Sequence, residues 1–203
     1  MAVELYGFNV TAAIVSVVLY ILLAYISTQN FKEKGQELRW KKSQAAQQLV
    51  RDLQADEEAK HALWMVDAGT RMYPVHISGV QDAWTQLDWE LVREALTVNE
   101  TENMSIPTAW ICNCFDSLLI HFGEIQNAVD TGYVLFDDIL PPLYYYVNRL
   151  YHGAERMGTI TAYANATGAF DAKALMDRIK DPEGEAPAIM RRIQQRQAAR
   201  ANN

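Results

Sequence analysis

The chain has 203 residues, half of them hydrophobic and a tenth aromatic, with a formal net charge of −7. That composition supports a buried core and excludes an intrinsically disordered chain. The charge is laid unevenly, −1 over residues 1–31, +4 over 32–51, −13 over 52–138 and +3 over 139–203, and a middle this acidic excludes nucleic acid as its partner.

The first predicted element is a membrane segment. From Val10 to Ile26 the run "VTAAIVSVVLYILLAYI" holds only apolar, small, hydroxylated or Tyr residues, and extension back to Leu5 gives 22 positions interrupted by Gly7 and Asn9. About 20 residues at 1.5 Å each span a bilayer core. Tyr6 and Phe8 before the run, with Tyr25 and Phe31 at its end, stand where interfacial aromatics belong. A cleaved signal peptide would begin with a basic region and end at a small-residue site. Here no Lys or Arg precedes the run, and "STQNFKEK" follows it. Lys32, Lys34, Arg39, Lys41, Lys42 and Arg51 all follow the run, so the positive-inside rule places the N-terminus outside and residues 30–203 in the cytoplasm. The same cations suit anionic lipid head groups. The run itself carries no ionisable side chain of the kind that builds a proton path or ligates haem. Ala12, Ala13 and Ser16 share a small-residue face, suited either to packing on another helix or to lipid.

No Pro occurs before Pro74, so the helix is expected to run on through "FKEKGQELRWKKSQAAQQLVRDLQ", with Gly35 its one weak point. Leu38, Ala45, Leu49 and Leu53 form a narrow stripe, read as a stalk lying on the domain or as a coiled contact. Asp56-Glu57-Glu58 marks a new helix start, with Leu63, Trp64 and Val66 behind it, and "AGTRMYP" breaks that helix. Asp88 is the predicted N-cap of a helix anchored by Trp89, Leu91 and Leu96, and "NETENMSIP" is a polar connection. The strongest pattern runs from about Thr108 to Thr131. Trp110, Ile111, Phe115, Leu118, Leu119, Phe122, Ile125 and Val129 give it a broad apolar face, and Gly132 stops it. The next helix is expected to start near the Pro pair of "DDILPPLYYYVNRLYHGAE", with Leu143, Val147, Leu150 and Ala154 inward. "GTITAYANATG" reads as a loop. Asp171 then caps "AKALMDRIK", Asp181 to Gly184 ends it, and residues 186–203 form a loosely held basic helix. No strand alternation survives beyond a few residues, so the expected class is all-α, a small bundle on a membrane stalk. The expected divisions are 1–28 for the membrane helix, 29–55 for the basic stalk, 56–160 for the bundle and 161–203 for a short helix and tail.

Motifs that carry chemistry are scarce. His121 and Glu124 share a helix face with Asp116 nearby and Asp137 and Asp138 beyond, but the two Glu-x-x-His motifs of a di-iron site do not occur together, the chain holding one such spacing at Glu58 and His61, and a packing His is expected. Cys112 and Cys114 point about 200° apart on a helix. They therefore neither clamp one metal nor pair, and no disulfide framework exists, as fits a reducing compartment. His61, His76 and His152 show no partner in the sequence. Nucleophile elbows, phosphate loops and dinucleotide glycine patterns are absent. Tyr144 and Tyr151, seven apart, either line a groove or ring the core with their hydroxyls outward. Arg192, Arg196 and Arg200 form a stripe opposite Ile189 and Ile193 that suits anionic lipid, the acidic middle or solvent. Four Asn-x-Ser/Thr strings ("NVT", "NET", "NMS", "NAT") carry no weight on a cytoplasmic domain.

The stretch "WICNCFDSLLIHFGEIQNAVDTGYVLFDDI", with Asn113, Phe115, Asp116 and Gly132-Tyr133-Val134, resembles a block in a family of uncharacterised bacterial proteins with one N-terminal membrane helix and a small helical cytoplasmic domain. The quoted stretch covers about a seventh of the chain. It implies that fold and a bacterial inner-membrane location, and it assigns no site residues.

The sequence therefore leads to a non-enzymatic, single-pass membrane protein, an accessory or scaffold subunit of a larger complex. Its expected partners are the bilayer and other membrane subunits, with anionic head groups held at Lys32, Lys34, Arg39, Lys41 and Lys42. Asp137, Asp138, Tyr144 and Tyr151 are the expected partner-binding positions. No cofactor or metal is expected. The alternatives are a membrane-tethered sensor or effector of a stress or phage-response type, acting by ligand binding or oligomerisation, and a metal-dependent enzyme centred on His121 and Glu124.

Overall fold

The computed structural model describes residues 2–67, 70–75, 83–97, 104–151, 154–181 and 184–201; side chains at 2–18, 83, 151, 154–155, 185, 196 and 199–201 lie outside the description. Its described residues are mostly helical, with eight helices and two short strands. Contacts divide it into Met1–Lys42 and Ser43–Asn203, taken here in turn.

The first unit is helical from Ala2 onward and belongs to α1 (Ala2–Ala55). Gly35 sits inside this helix without interrupting it. Among the described residues no helix is long and apolar enough to cross a membrane. The expected span, residues 5–26, falls up to position 18 on side chains outside the description. From Leu19 to Ile26 every residue is exposed, and so is every residue from Asn30 to Lys41.

The second unit holds the core. At the end of α1, Ala46, Val50 and Leu53 are buried in it, so the stalk residues nearest the bundle are part of its packing. Asp56 interrupts the helix and caps α2 (Glu57–Asp67): its Oδ1 accepts the backbone N–H of Ala59 at 2.8 Å. The fold is mostly helical as expected, with one short hairpin added to it. Arg71–Val75 (β1) and Ala83–Leu87 (β2) pair antiparallel, with Pro74 opposite Trp84. Pro is tolerated because a two-stranded ladder is all edge. Tyr73, Val75 and Leu87 turn inward. Asp88 caps α3 (Trp89–Thr97) through Leu91 N–H at 3.0 Å, as expected.

The central element is α4 (Ile106–Asp130), capped by Ser105. Of its eight expected core positions all but Val129 are buried. It packs most extensively on α7, then on α2 and α3. Gly132 closes it with φ +69°, the left-handed value a helix stop requires, and Val134 N–H returns to Ala128 O at 3.1 Å.

Two expectations about the C-terminal half are corrected. The helix α5 (Phe136–Tyr151) starts five residues before its Pro pair, so Pro141 and Pro142 lie inside it. Their missing N–H groups leave the carbonyls of Asp137 and Asp138 without the usual helical donor. The expected loop "GTITAYANATG" is largely α6 (Ala154–Ala166), held by buried Met157, Ile160 and Ala164. Next comes α7 (Phe170–Lys180), with Ala169 at its cap position and no side-chain cap; Asp171 stands in its first turn instead. The chain closes with α8 (Glu185–Ala201), which buries Ala186 and Ile189.

Candidate functional site

A groove of about 450 Å³ lies between α4 and the α6–α7 turn. Leu119 forms its floor, while Ile120 and Phe170 stand 62% and 63% exposed at its edges. Such large apolar side chains facing solvent are the informative kind of exposure. Asp116 and Asp171 supply the only charges in the lining. The turn Thr167-Gly168-Ala169 reverses the chain through Gly168 at φ +76°, which brings α7 back along α4. Gly123 lies beneath that return: a Cβ there would stand 3.8 Å from Asp171 Cβ, an ordinary van der Waals contact.

Asp116 is held from behind. The Tyr163 hydroxyl of α6 donates to its Oδ1 at 2.7 Å. Burial, and then this donation to a carboxylate, push the Tyr163 phenol far up. The Cys112 thiol lies beside the same phenol and donates to Ala95 O at 3.4 Å; burial pushes it up as well. Cys114 is fully buried, and burial drives its thiol up further. Both sulfurs are thus neutral packing groups.

On the opposite side of α4, His121 bridges two acids. Its Nε2 lies 3.4 Å from Asp56 Oδ2, and its Nδ1 lies 3.5 Å from Glu124 Oε2. Partial burial pushes the Asp56 carboxyl up, but Ala59 N–H, the Ser117 hydroxyl and His121 together hold it below its ordinary value. The two ring nitrogens point apart, so these carboxylates do not converge on one ion. Among the described residues no cluster of three or more His, Cys, Asp or Glu is arranged to hold a metal. His121 thus ties the start of α2 to α4.

A second aromatic centre surrounds His61, whose ring lies 5.2 Å from Trp110, 5.3 Å from Trp64 and 6.2 Å from Tyr73. Burial, then the neighbouring Lys60, push its pKa down. Lys60 and Arg71 stack over Trp64 at 5.5 and 5.0 Å. His76 and His152 lie outside the described residues.

The expected partner-binding residues occupy α5. Asp137 and Asp138 lie half-buried in its first turn, with Asp138 Oδ2 buried and unbonded. Tyr144 packs against the core, and the Tyr151 side chain is outside the description. The exposed tyrosine of this helix is Tyr145, whose hydroxyl donates to Asp67 Oδ1 at 2.8 Å beside Arg149. Of the four, Asp137, Asp138 and Tyr144 are thus half-buried. Lys32, Lys34, Arg39 and Lys41 are exposed on the first unit and Lys42 is half-exposed; Lys41 pairs with Glu37 at 2.6 Å. Arg192 is exposed, and the side chains of Arg196 and of Arg200 lie outside the description.

Sequence reasoning did not bring Asp171, Phe170 and Tyr163 together with Asp116. The one local signal was an aromatic directly after "TGA", placed where α7 has no cap. Compared with known proteins, the chain matches no family model, no curated protein and no solved structure. The likeness carried by residues 110–139 finds no counterpart there.

Proposed function

We propose that this protein is a membrane-anchored, non-enzymatic interaction protein, a subunit of a larger membrane assembly. The supporting observation is the helix surface from Leu19 to Ile26. Tyr20, Ile21 and Leu23 are 75%, 64% and 63% exposed, and their neighbours in this stretch are exposed too. Eight consecutive helical positions cover every direction around the axis, so the surface is apolar all round. An amphipathic helix needs one covered face; a helix apolar all round needs hydrocarbon on every side. The apolar sequence continues back to Leu5, which completes a bilayer-length span.

The cations that follow set depth and direction. Lys32, Lys34, Arg39, Lys41 and Lys42 sit at the head-group level, with Phe31 and Trp40 as interfacial aromatics, and the bundle lies in the cytoplasm. The chemistry of the bundle supports binding rather than turnover. Its thiols are neutral, its bridging histidine is tied to two acids, and the α4–α7 groove pairs apolar edges with carboxylates.

The test is extraction of native membranes in mild detergent with the chain tagged, followed by size analysis and identification of co-migrating protein. A companion at fixed ratio, and resistance of the chain to alkaline carbonate extraction, are the expected results. Release by carbonate would refute the anchor. A chain extracted with no companion would refute the subunit reading.

A further inference from the structure

The groove has a spacing that defines its occupant. Asp116 and Gly123 are seven residues apart on α4, hence on one face and about 10 Å apart along the axis. Asp171 lies over Gly123, within 3.8 Å of where its Cβ would stand. The two carboxylates therefore mark the ends of a two-turn strip, with Leu119 and Ile120 between them and Phe170 alongside. A helix laid along that strip matches it with a cation at i, a large apolar residue at i+4 and a cation at i+7. Anions are unsuited, because the lining holds two carboxylates and no cation.

The chain itself carries that pattern. Lys34, Leu38 and Lys41 stand at i, i+4 and i+7 on α1, all exposed, Leu38 at 60%. Phe31 lies one turn earlier on the same side and is also exposed. The Lys41–Glu37 pair is fully solvated and contributes little, so Lys41 is free to exchange it.

We propose that the Lys34–Leu38–Lys41 face of one copy docks in the α4–α7 groove of a second copy, Lys34 and Lys41 meeting Asp116 and Asp171 while Leu38 covers Leu119 and Ile120. A pair in which each copy's stripe fills the other's groove closes as a dimer. Confinement to one membrane raises the effective concentration of the two halves. Tyr163 acts as a positioning residue, since its hydroxyl fixes Asp116 before docking. This dimer is independent of the companion subunit proposed above.

A charge-swap mixture tests it, using the full chain in detergent micelles and mass from analytical ultracentrifugation. One variant carries D116K and D171K, the other K34E and K41E. Each alone opposes like charges across both contacts, whereas the mixed pair restores both. Wild-type protein should show a concentration-dependent dimer, each variant alone should dissociate at least about tenfold more readily, and the equimolar mixture should dimerise. A wild-type chain that stays monomeric, variants that self-associate like wild type, or a mixture that does not pair would each overturn the proposal. Retention of Trp110 fluorescence checks folding. If the lysine pair unfolds the bundle, D116N with D171N must weaken the dimer at least about tenfold while E90Q with E94Q, on the solvent face of α3, leaves it unchanged. Loss of a co-extracted companion from the groove variant, with a monomeric wild type, would instead assign the groove to that companion and refute the dimer.

Discussion

Two neighbouring positions on α4 separate packing from surface. Leu118 is 1% exposed and Ile120 is 62% exposed, two residues apart on one helix and so facing nearly opposite directions. Leu118→Ala removes buried methyl groups and leaves a cavity, because α2, α3 and α7 hold α4 on several sides and limit collapse. Such changes destabilise by about 2.7–5 kcal/mol. For a domain of this size, each kcal/mol shifts Tm by about 2–4 °C, so a loss of roughly 6–20 °C is expected. Ile120→Ala should stay within about 0.5 kcal/mol. The reporter is Trp110, 2% exposed and therefore sensitive to loss of the core. Urea and thermal unfolding of the full chain, followed by Trp emission, give both numbers. Equal destabilisation by the two substitutions would refute the assignment of the buried face of α4.

Tyr163→Phe should cost about 1.5 kcal/mol in the same assay, the low end for a hydrogen bond to a charged acceptor because Asp116 is only half-buried. Gly132→Ala should cost about 1 kcal/mol through its positive φ alone, since nothing lies within 4 Å of the added Cβ; an unchanged Tm would contradict the left-handed stop. Asp56 is held below its ordinary value of 3.8, so the stability it lends is complete above that pH and is lost as pH falls through the lower folded value. Acid titration of Asp56→Asn should accordingly show a shallower decline below about pH 4 than the wild type. Cys112 and Cys114 should resist iodoacetamide in the native protein and react fully in urea, as their raised pKa values and burial require.

The sequence is most readable where local and tertiary preferences agree. In α4 the broad 3.6-residue pattern, the absence of Gly or Pro after Pro107 except Gly123, and Gly132 beyond its end all point one way. Asp56 and Asp88 were recognisable as caps because each precedes an acidic or apolar first turn. The readings that changed are those where packing overrides propensity. Thr159, Thr161, Asn165 and Gly158 are poor helix formers, yet α6 forms because Met157, Ile160 and Ala164 find the core. The hairpin was hidden because each strand has five residues and one contains Pro74. The groove joins residues about fifty positions apart, a proximity no local pattern encodes. The basic face on α1 was read as a lipid contact, and its match to the groove became visible only once the Asp116–Asp171 spacing was known.

The order of packing has a consequence for synthesis. Helix α4 finds its most extensive partner in α7, which is translated some fifty residues later. At about 5–20 residues per second, α4 waits roughly 3–10 s on the ribosome before α7 is available. During that interval Trp110, Phe115, Leu118 and Phe122 have α2, β1 and α3 beside them but not α7. The nascent chain therefore leaves the α7-facing side of α4 uncovered until Lys180 clears the exit tunnel.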